Sequence, residues 1–397
     1  MTAGDRTAAA TTPGTADDRV PVVVAARRTP IGAVGRGLAT LDAAGLAAPV
    51  LAALADDLKP VLTDRHPLVD DVVLGNCRGP GGNVARIAAL AAGLGTDVPG
   101  TTLDRQCGSG LEAVRLAAAL IASGQADVVL AGGTESASTA PGGPDHRAAF
   151  TPPGWPDPDM GRAADDVATL RGITRARQDR YAARSHRLAL AARGIGVFDD
   201  ELVPVAGLAH DERPRRGLDE RMLARFRPAF AADGTVTAGN ACGINDGAAA
   251  VAVVSERVRR EAGLPGLRVL AWGSIAGDPA LPPLAAAPAV RGALTRAGKR
   301  LDDVEVLEIT EAFAAQLLAC TDELGLDPLG ADSHRVCPDG GAIALGHPWS
   351  ASGSLLLTRL HSRLVRRAAG DGARRIGVAA CAIGGGQGLA VVVERVG

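Results

Sequence analysis

The chain of 397 residues carries little aromatic bulk: Trp 3, Tyr 1 and Phe 5, or 2% of the sequence. So few rings argue against a stacking platform for single-stranded nucleic acid. A dominant charge is missing too. Basic residues number 42 and acidic residues 44, a formal net charge of −2, which leaves no global basic field for DNA or RNA. No run reaches the ~18 apolar residues expected of a membrane span. The opening MTAGDRTAAATTPGTADDR has no basic region followed by an apolar stretch, and so does not read as a secretory signal. The six cysteines, at 77, 107, 242, 320, 337 and 381, form no CxxC pair. That spacing argues against zinc or thioredoxin-like chemistry, and no metal is expected. Reduced thiols and a cytoplasmic setting are the expectation.

Small residues are what the chain has. Glycine numbers 51, and apolar residues make up 47%, mostly Ala, Leu and Val. Such a core packs helices close against sheets. Residues 1–18 read as a disordered tail. Val20–Ala26 is a β-branched run that reads as a buried strand, and Val69–Gly75 as a second. Helices are expected over 41–58, 83–94 and from Ser109 to about 123, with a strand over 127–131. From about 140 to 238 the alternation breaks into proline- and charge-rich sequence with one clear helix, 174–193. This reads as an inserted loop domain. Residues 245–250 look like a small-residue helix or a strand–helix join. Strands are expected at 267–274, 304–309, 375–380 and 388–394, and helices at 287–297, 311–324 and 352–368. Strands alternating with helices indicate a layered α/β fold. The halves echo each other: Cys107 and His347 each precede a helix, and each following strand ends in glycines, at Gly132–Gly133 and Gly384–Gly386.

Cys107 opens a helix through Gly-Ser-Gly, where the dipole and free N–H groups are expected to lower its pKa. A buried structural cysteine fits the local sequence equally well. His347 precedes Pro348 and is suited to acid–base work or to holding an oxyanion. A histidine satisfied by backbone groups in a turn fits there too. Gly384–Gly386, beside Cys381, can supply half of an oxyanion hole or form a plain tight turn. No GxxxxGK[ST] or GxGxxG follows a strand, so nucleotide-cradle readings fail.

Several motifs in order then carry a resemblance: Arg28–Gly32 (RTPIG), Asp104–Gly110 (DRQCGSG), Gly132–Ser136 (GGTES), Thr237–Gly247 (TAGNACGINDG), Glu311–Phe313 (EAF), Gly340–Pro348 and Gly384–Gly388 (GGGQG). Over nearly all of the chain after residue 19, the sequence resembles the thiolases, acyl-CoA acyltransferases of the condensing-enzyme superfamily. The resemblance implies a duplicated, layered α/β/α/β/α fold with an inserted loop domain. It divides the chain into an N-terminal half, 19–256, and a C-terminal half, 266–397. It implies acyl transfer of the acetyl-CoA C-acyltransferase type. Cys107 carries the acyl group as a thioester, His347 activates the thiol, and backbone N–H groups of Cys107 and Gly384 hold the oxyanion. One difficult transfer becomes two thioester exchanges. It also implies no cofactor beyond the coenzyme A thioester substrate, and a homodimer or homotetramer.

Four departures stand out. The family's second catalytic cysteine falls at Ala382 here, with Cys381 one place early. Neighbouring residues of a strand face opposite sides, so Cys381 is expected to point away from the cleft unless a bulge re-aims it. Thr310 stands where the family has an asparagine that holds a water in the first oxyanion hole. Gly142 stands where short-chain biosynthetic members carry a histidine, and His146 can replace it only if the loop folds back. Cys242 replaces a serine near the pantetheine arm. Ala238 and Phe313 are expected beside the substrate, and Trp349 either walls the acyl pocket or packs between the halves. Two other functions stay open: a condensing or acyl-transfer enzyme that needs no second cysteine, decarboxylative or directed to O, N or C nucleophiles, and a non-catalytic thiolase-fold binding subunit.

Overall fold

The computed structural model describes residues 15–367 and 375–397. Residues 1–14 of the expected tail lie outside that range. Residues 15–18 do not behave as a tail. Thr15 Oγ1 donates to Asp18 at 2.8 Å, and a 3-10 turn at Asp17–Arg19 sets Asp17 2.6 Å from Arg260.

The first half runs β1 (Pro21–Arg28), β2 (Gly32–Ala33), α1 (Ala43–Leu58), β3 (Asp71–Gly75), α2 (Val84–Ala91), β4 (Gly100–Leu103), α3 (Ser109–Ala122) and β5 (Val128–Ser136). Next come α4 (Met160–Leu170), α5 (Arg175–Gly194) and α6 (Glu220–Leu223). The chain returns through β6 (Asn245–Ser255) and α7 (Glu256–Glu261). The second half is β7 (Gly266–Ala276), α8 (Ala286–Ala297), β8 (Val304–Ile309), α9 (Ala314–Leu324), α10 (Ala342–Leu345), α11 (Trp349–His361), β9 (Ile376–Ile383) and β10 (Gln387–Val396). Helix starts follow capping chemistry: Asp42, Thr174 and Ser255 each accept a hydrogen bond from the backbone N–H three residues on.

The strands form one ten-stranded sheet in the order β4-β3-β5-β6-β1-β7-β10-β9-β8, with β2 on β6. Read outward from the centre, each half repeats the same order. A parallel bridge from Leu307 to Val336 stands in the second half where β4 pairs with β3 in the first. The halves join edge to edge through Val22–Arg268 and Val23–Leu267. Each half-sheet covers one side of a central helical layer made by α3 and α11. Helices α1 and α2 cover the outer face of the first half, and α8 and α9 that of the second. The result is the layered α/β/α/β/α fold.

Two local expectations need correction. Of the two readings of residues 245–250 the helix fails: they are strand, and the strand passes into helix only at Glu256. Alanines are tolerated in β6 because α1 presses on one face and α11 on the other, and the whole strand is buried. The stretch 140–238 holds α4 and α6 besides α5, and among its described residues no strand, only isolated bridges.

Candidate active site

The site begins where α3 crosses α11. A Cβ added at Gly110 would lie 2.5 Å from the Ser350 carbonyl oxygen, and one at Gly353 would lie 2.5 Å from the Leu111 nitrogen. The helices therefore touch backbone to backbone, which only glycine permits. This contact brings the N-terminal ends of both helices, with Cys107 and His347 just ahead of them, to one place between the halves.

Cys107 sits in a 3-10 turn, Gln106–Gly108, rather than on the helix itself. Gln106 is left-handed at φ +51°, a conformation unfavourable for a side-chain-bearing residue. Its neighbours hold it there. Asp104 accepts from the Gln106 N–H at 2.7 Å, and Ser109 Oγ donates to the Gln106 carbonyl at 2.6 Å. Arg105 reaches across the halves to Ser274 at 2.8 Å and Gln387 at 3.3 Å. The expected lowering of the Cys107 pKa does not occur. Burial pushes it up, the neighbouring thiols of Cys381 and Cys242 and the Glu135 carboxyl push it further, and a backbone hydrogen bond opposes them only weakly.

His347 is buried and follows α10 through Gly346. Its N–H donates to Asn245 Oδ1 at 3.1 Å, and its Nδ1 lies 2.6 Å from Ser352 Oγ. Burial alone lowers its pKa to about 4, so the ring is neutral at pH 7. Glu311 clamps the surroundings. Tyr181 and Ser185 of α5 each donate to its carboxyl at 2.7 Å, and the Ile343 N–H donates at 3.1 Å. One side chain thus ties the inserted segment, the end of β8 and the approach to His347 together. On the other side Glu135 accepts from Ser350 Oγ at 2.7 Å and Cys77 Sγ at 2.9 Å.

The remaining expected residues fall as follows. The end of β9 packs on the Cys107 turn, with Ile383 against Gly108, and Gly384 follows at once. Cys381 is 0% exposed in the central layer, its Sγ 3.2 Å from Thr310 Oγ1. Ala382 is half-buried and packs with the other cluster, the one that contains Phe313 and Ala241. β9 pairs one to one with β10 without a bulge, so adjacent side chains do face opposite ways. The Cys242 N–H donates to the Ala312 carbonyl at 2.9 Å. Phe313 meets Phe230 edge to face at 5.9 Å. Trp349 is half-buried, its ring covered by the Arg78 guanidinium at 4.9 Å.

Two neighbouring cavities approach this region. One, of about 650 Å³, is lined by Arg180, Arg184, Arg187, Arg215 and Arg216, with Asp219 and Glu220 also in its wall. The other, of about 150 Å³, shares His186, Arg215 and Leu218 with it and runs to Ala238, Gly239 and Ala241, next to Cys242.

The thiolase N-terminal domain model matches residues 21–257, and the thiolase C-terminal domain model matches residues 265–395. The chain belongs to the thiolase family. An acetyl-CoA acetyltransferase of Pseudomonas aeruginosa is 40% identical over 94% of this chain and 99% of its own length. A beta-ketoadipyl-CoA thiolase of the same organism is 41% identical over 93% and 97%. The crystal structure of the Bacillus anthracis acetyl-CoA acetyltransferase superposes with a TM-score of 0.86 at 36% identity, covering 96% of this chain and all of that one. This thiolase is therefore an enzyme of the acyltransferase class, working through a cysteine thioester.

Against that family pattern, the loop of this thiolase after β5 does fold back. A Cβ at Gly142 would lie 3.0 Å from His146 Cβ and Cγ, so His146 fills the space of a side chain at 142. Three groups escaped the sequence reading. Glu308 and Ser352 were not singled out, and Arg28 was quoted only as part of a motif. Arg28 proves to be buried between Glu201 at 2.7 Å and Asp211 at 2.6 Å, with Arg359 on the far side of Glu201. A glutamate inside the apolar run Val304–Ile309 was a readable signal for Glu308. Nothing local marked Ser352.

Proposed function

We propose that this thiolase takes an acyl group from acyl-CoA onto Cys107 and passes it to a carbon acceptor activated without a thiol at position 382. The carrying observation is the pair Ala382 and Cys381. The half-open position holds a methyl group, and the thiol is sealed in the central layer against Thr310. A β-carboxylated thioester meets this requirement, because loss of CO2 creates the carbanion with no base. In the first half-reaction neutral His347 takes the Cys107 proton, and the thiolate attacks the thioester carbonyl. Backbone N–H groups of Cys107 and Gly384 hold the oxygen. His347 then returns the proton to the departing coenzyme A sulfur.

The arginine-lined cavity is the right kind of site for the phosphates of coenzyme A. Among the described residues, Arg180, Arg187, Arg215 and Arg216 form no ion pair, which leaves them available for phosphate oxygens. The narrower cavity would carry the pantetheine arm past Ala238 toward Cys242. No resident cofactor is needed. We further propose a homodimer formed along β4, an outermost strand of the sheet with exposed Ile87 and Leu90 on the adjoining α2. No helix among the described residues is long and apolar enough to cross a membrane. Six free cysteines favour a reducing compartment, for which the cytoplasm is our reading.

Incubation with radiolabelled acetyl-CoA or longer acyl-CoAs should label the peptide that contains Cys107, and Cys107→Ala should lose the label. No label from any acyl-CoA would overturn acyl transfer. Rapid coenzyme A-dependent cleavage of acetoacetyl-CoA would overturn the claim about the acceptor.

A further inference from the structure

His347 alone is a poor place to leave a proton. Burial disfavours its charged form, and the Cys107 thiol it serves holds its proton tightly. Behind His347 lies a second group. Glu308 points from β8 into the central layer and is 2% exposed. Among the described residues, no hydrogen bond or ion pair reaches its carboxyl. It opens instead onto a cavity of about 40 Å³ walled also by Ser352, Thr310, Leu356, Arg28 and Arg359. That is room for about three or four waters at ~10–15 Å³ each. Ser352 is the residue that holds His347 Nδ1 at 2.6 Å. The two arginines pair elsewhere, Arg28 with Glu201 and Asp211, and the terminal nitrogens of Arg359 with Glu201 and Asp339; among the described residues the Arg359 Nε keeps no protein partner. Among the described residues, Glu308 is the only carboxylate in the cavity wall.

We propose that Glu308 is the proton acceptor behind His347, reached through Ser352 and water in the cavity that the two side chains share. The inference rests on the reading of His347 as the group that activates Cys107. The transfer runs as follows. His347 Nε2 takes the proton as the Cys107 S–H bond breaks. The Nδ1 proton passes to Ser352 Oγ while that hydroxyl gives its own proton to water, and water protonates a Glu308 oxygen. One S–H bond is lost and one carboxylic O–H bond is gained. His347 ends neutral with its proton on Nε2, ready for the departing coenzyme A sulfur, after which the chain of transfers reverses. The thiolate is then the only charge left among these groups. Glu308 thus acts as a positioning residue for the proton and touches no substrate.

The surroundings set its pH range. Burial raises Glu308 to about 8; Asp339 and Glu311 add to the rise, and Arg359 and Arg363 oppose it. Arg28 shares the cavity wall, and the buried Cys337 thiol lies within reach of the same carboxyl. Below that pH Glu308 is protonated and cannot accept, and above it the carboxylate is available. Cys107 reactivity should therefore increase as pH rises through about 8.

The test is the rate of Cys107 alkylation by iodoacetamide, mapped by peptide mass spectrometry from about pH 6 to 10. It needs no acyl-CoA. Wild type should show a midpoint near 8. Glu308→Gln should lose at least about tenfold at pH 8 and shift the midpoint upward by about a unit or more. Glu308→Asp should restore most of the rate. Ser352→Ala should match Glu308→Gln, and it carries the test if the glutamine variant fails to fold. A wild-type profile in both Glu308→Gln and Ser352→Ala, with slow alkylation in His347→Asn, overturns the relay alone. An unchanged rate in His347→Asn overturns the activating role of His347 and the relay with it.

Discussion

Ala382 and Cys381 are neighbours in the chain but pack in different layers, and the proposed acceptor chemistry turns on that difference. A thiol added at 382 would sit at a half-buried position on the opposite face of β9, whereas the existing thiol is sealed against Thr310. Ala382→Cys should raise coenzyme A-dependent cleavage of acetoacetyl-CoA by about 10²-fold, the usual range for a positioned acid–base group. Cys381→Ala should not abolish it, since that thiol is held against Thr310 and its loss only removes one of the neighbours that raise the Cys107 pKa. Steady-state kinetics on both variants checks this. The opposed facing of the two residues was legible from the period of a strand. The pKa of Cys107 was not. A helix start can be read along the chain, but depth of burial and the approach of Cys242 and Cys381 come from distant segments. Those terms exceed the local one.

At the scale of elements, the contact between α3 and α11 fixes the geometry more tightly than any loop. Gly110→Ala would push a methyl group to within 2.5 Å of the Ser350 carbonyl. Overpacking of this kind costs about 1–3 kcal/mol. The variant should melt lower by calorimetry and also lose much of its Cys107 acylation, because the helix ends would separate. The sequence showed glycines at both places but not that they face each other. Two element errors have physical causes. The alanine-rich β6 leaves a helix open beside a strand–helix join because its β-branched residues are confined to its second half, and its burial on both faces comes from helices far away in sequence. α4 was hidden behind the proline-rich 151–158, although Asp159 caps it by accepting from the Gly161 and Arg162 N–H groups.

The whole molecule is one motif used twice, and that much was legible from Cys107 and His347 placed at matching points of matching halves. The join was not, since β1 and β7 meet over only two residue pairs, and nothing in either strand announces the other. The outer edge beyond β4 gives the prediction at this scale. Replacing Ile87 and Leu90 of α2 by Asp should convert a dimer to a monomer in light scattering after size exclusion, with each chain still folded by circular dichroism. A dimer that persists would place the interface elsewhere.

The meeting of α3 with α11 also has a kinetic side. Cys107 and His347 are far apart in the chain, each is built into its own half, and neither half contains the other's reactive group. Contacts of long sequence separation form late, because the loop between them must close first. On refolding from denaturant, helical signal should therefore recover before Cys107 becomes acylatable. The rate at which acylation returns measures the docking of one half on the other.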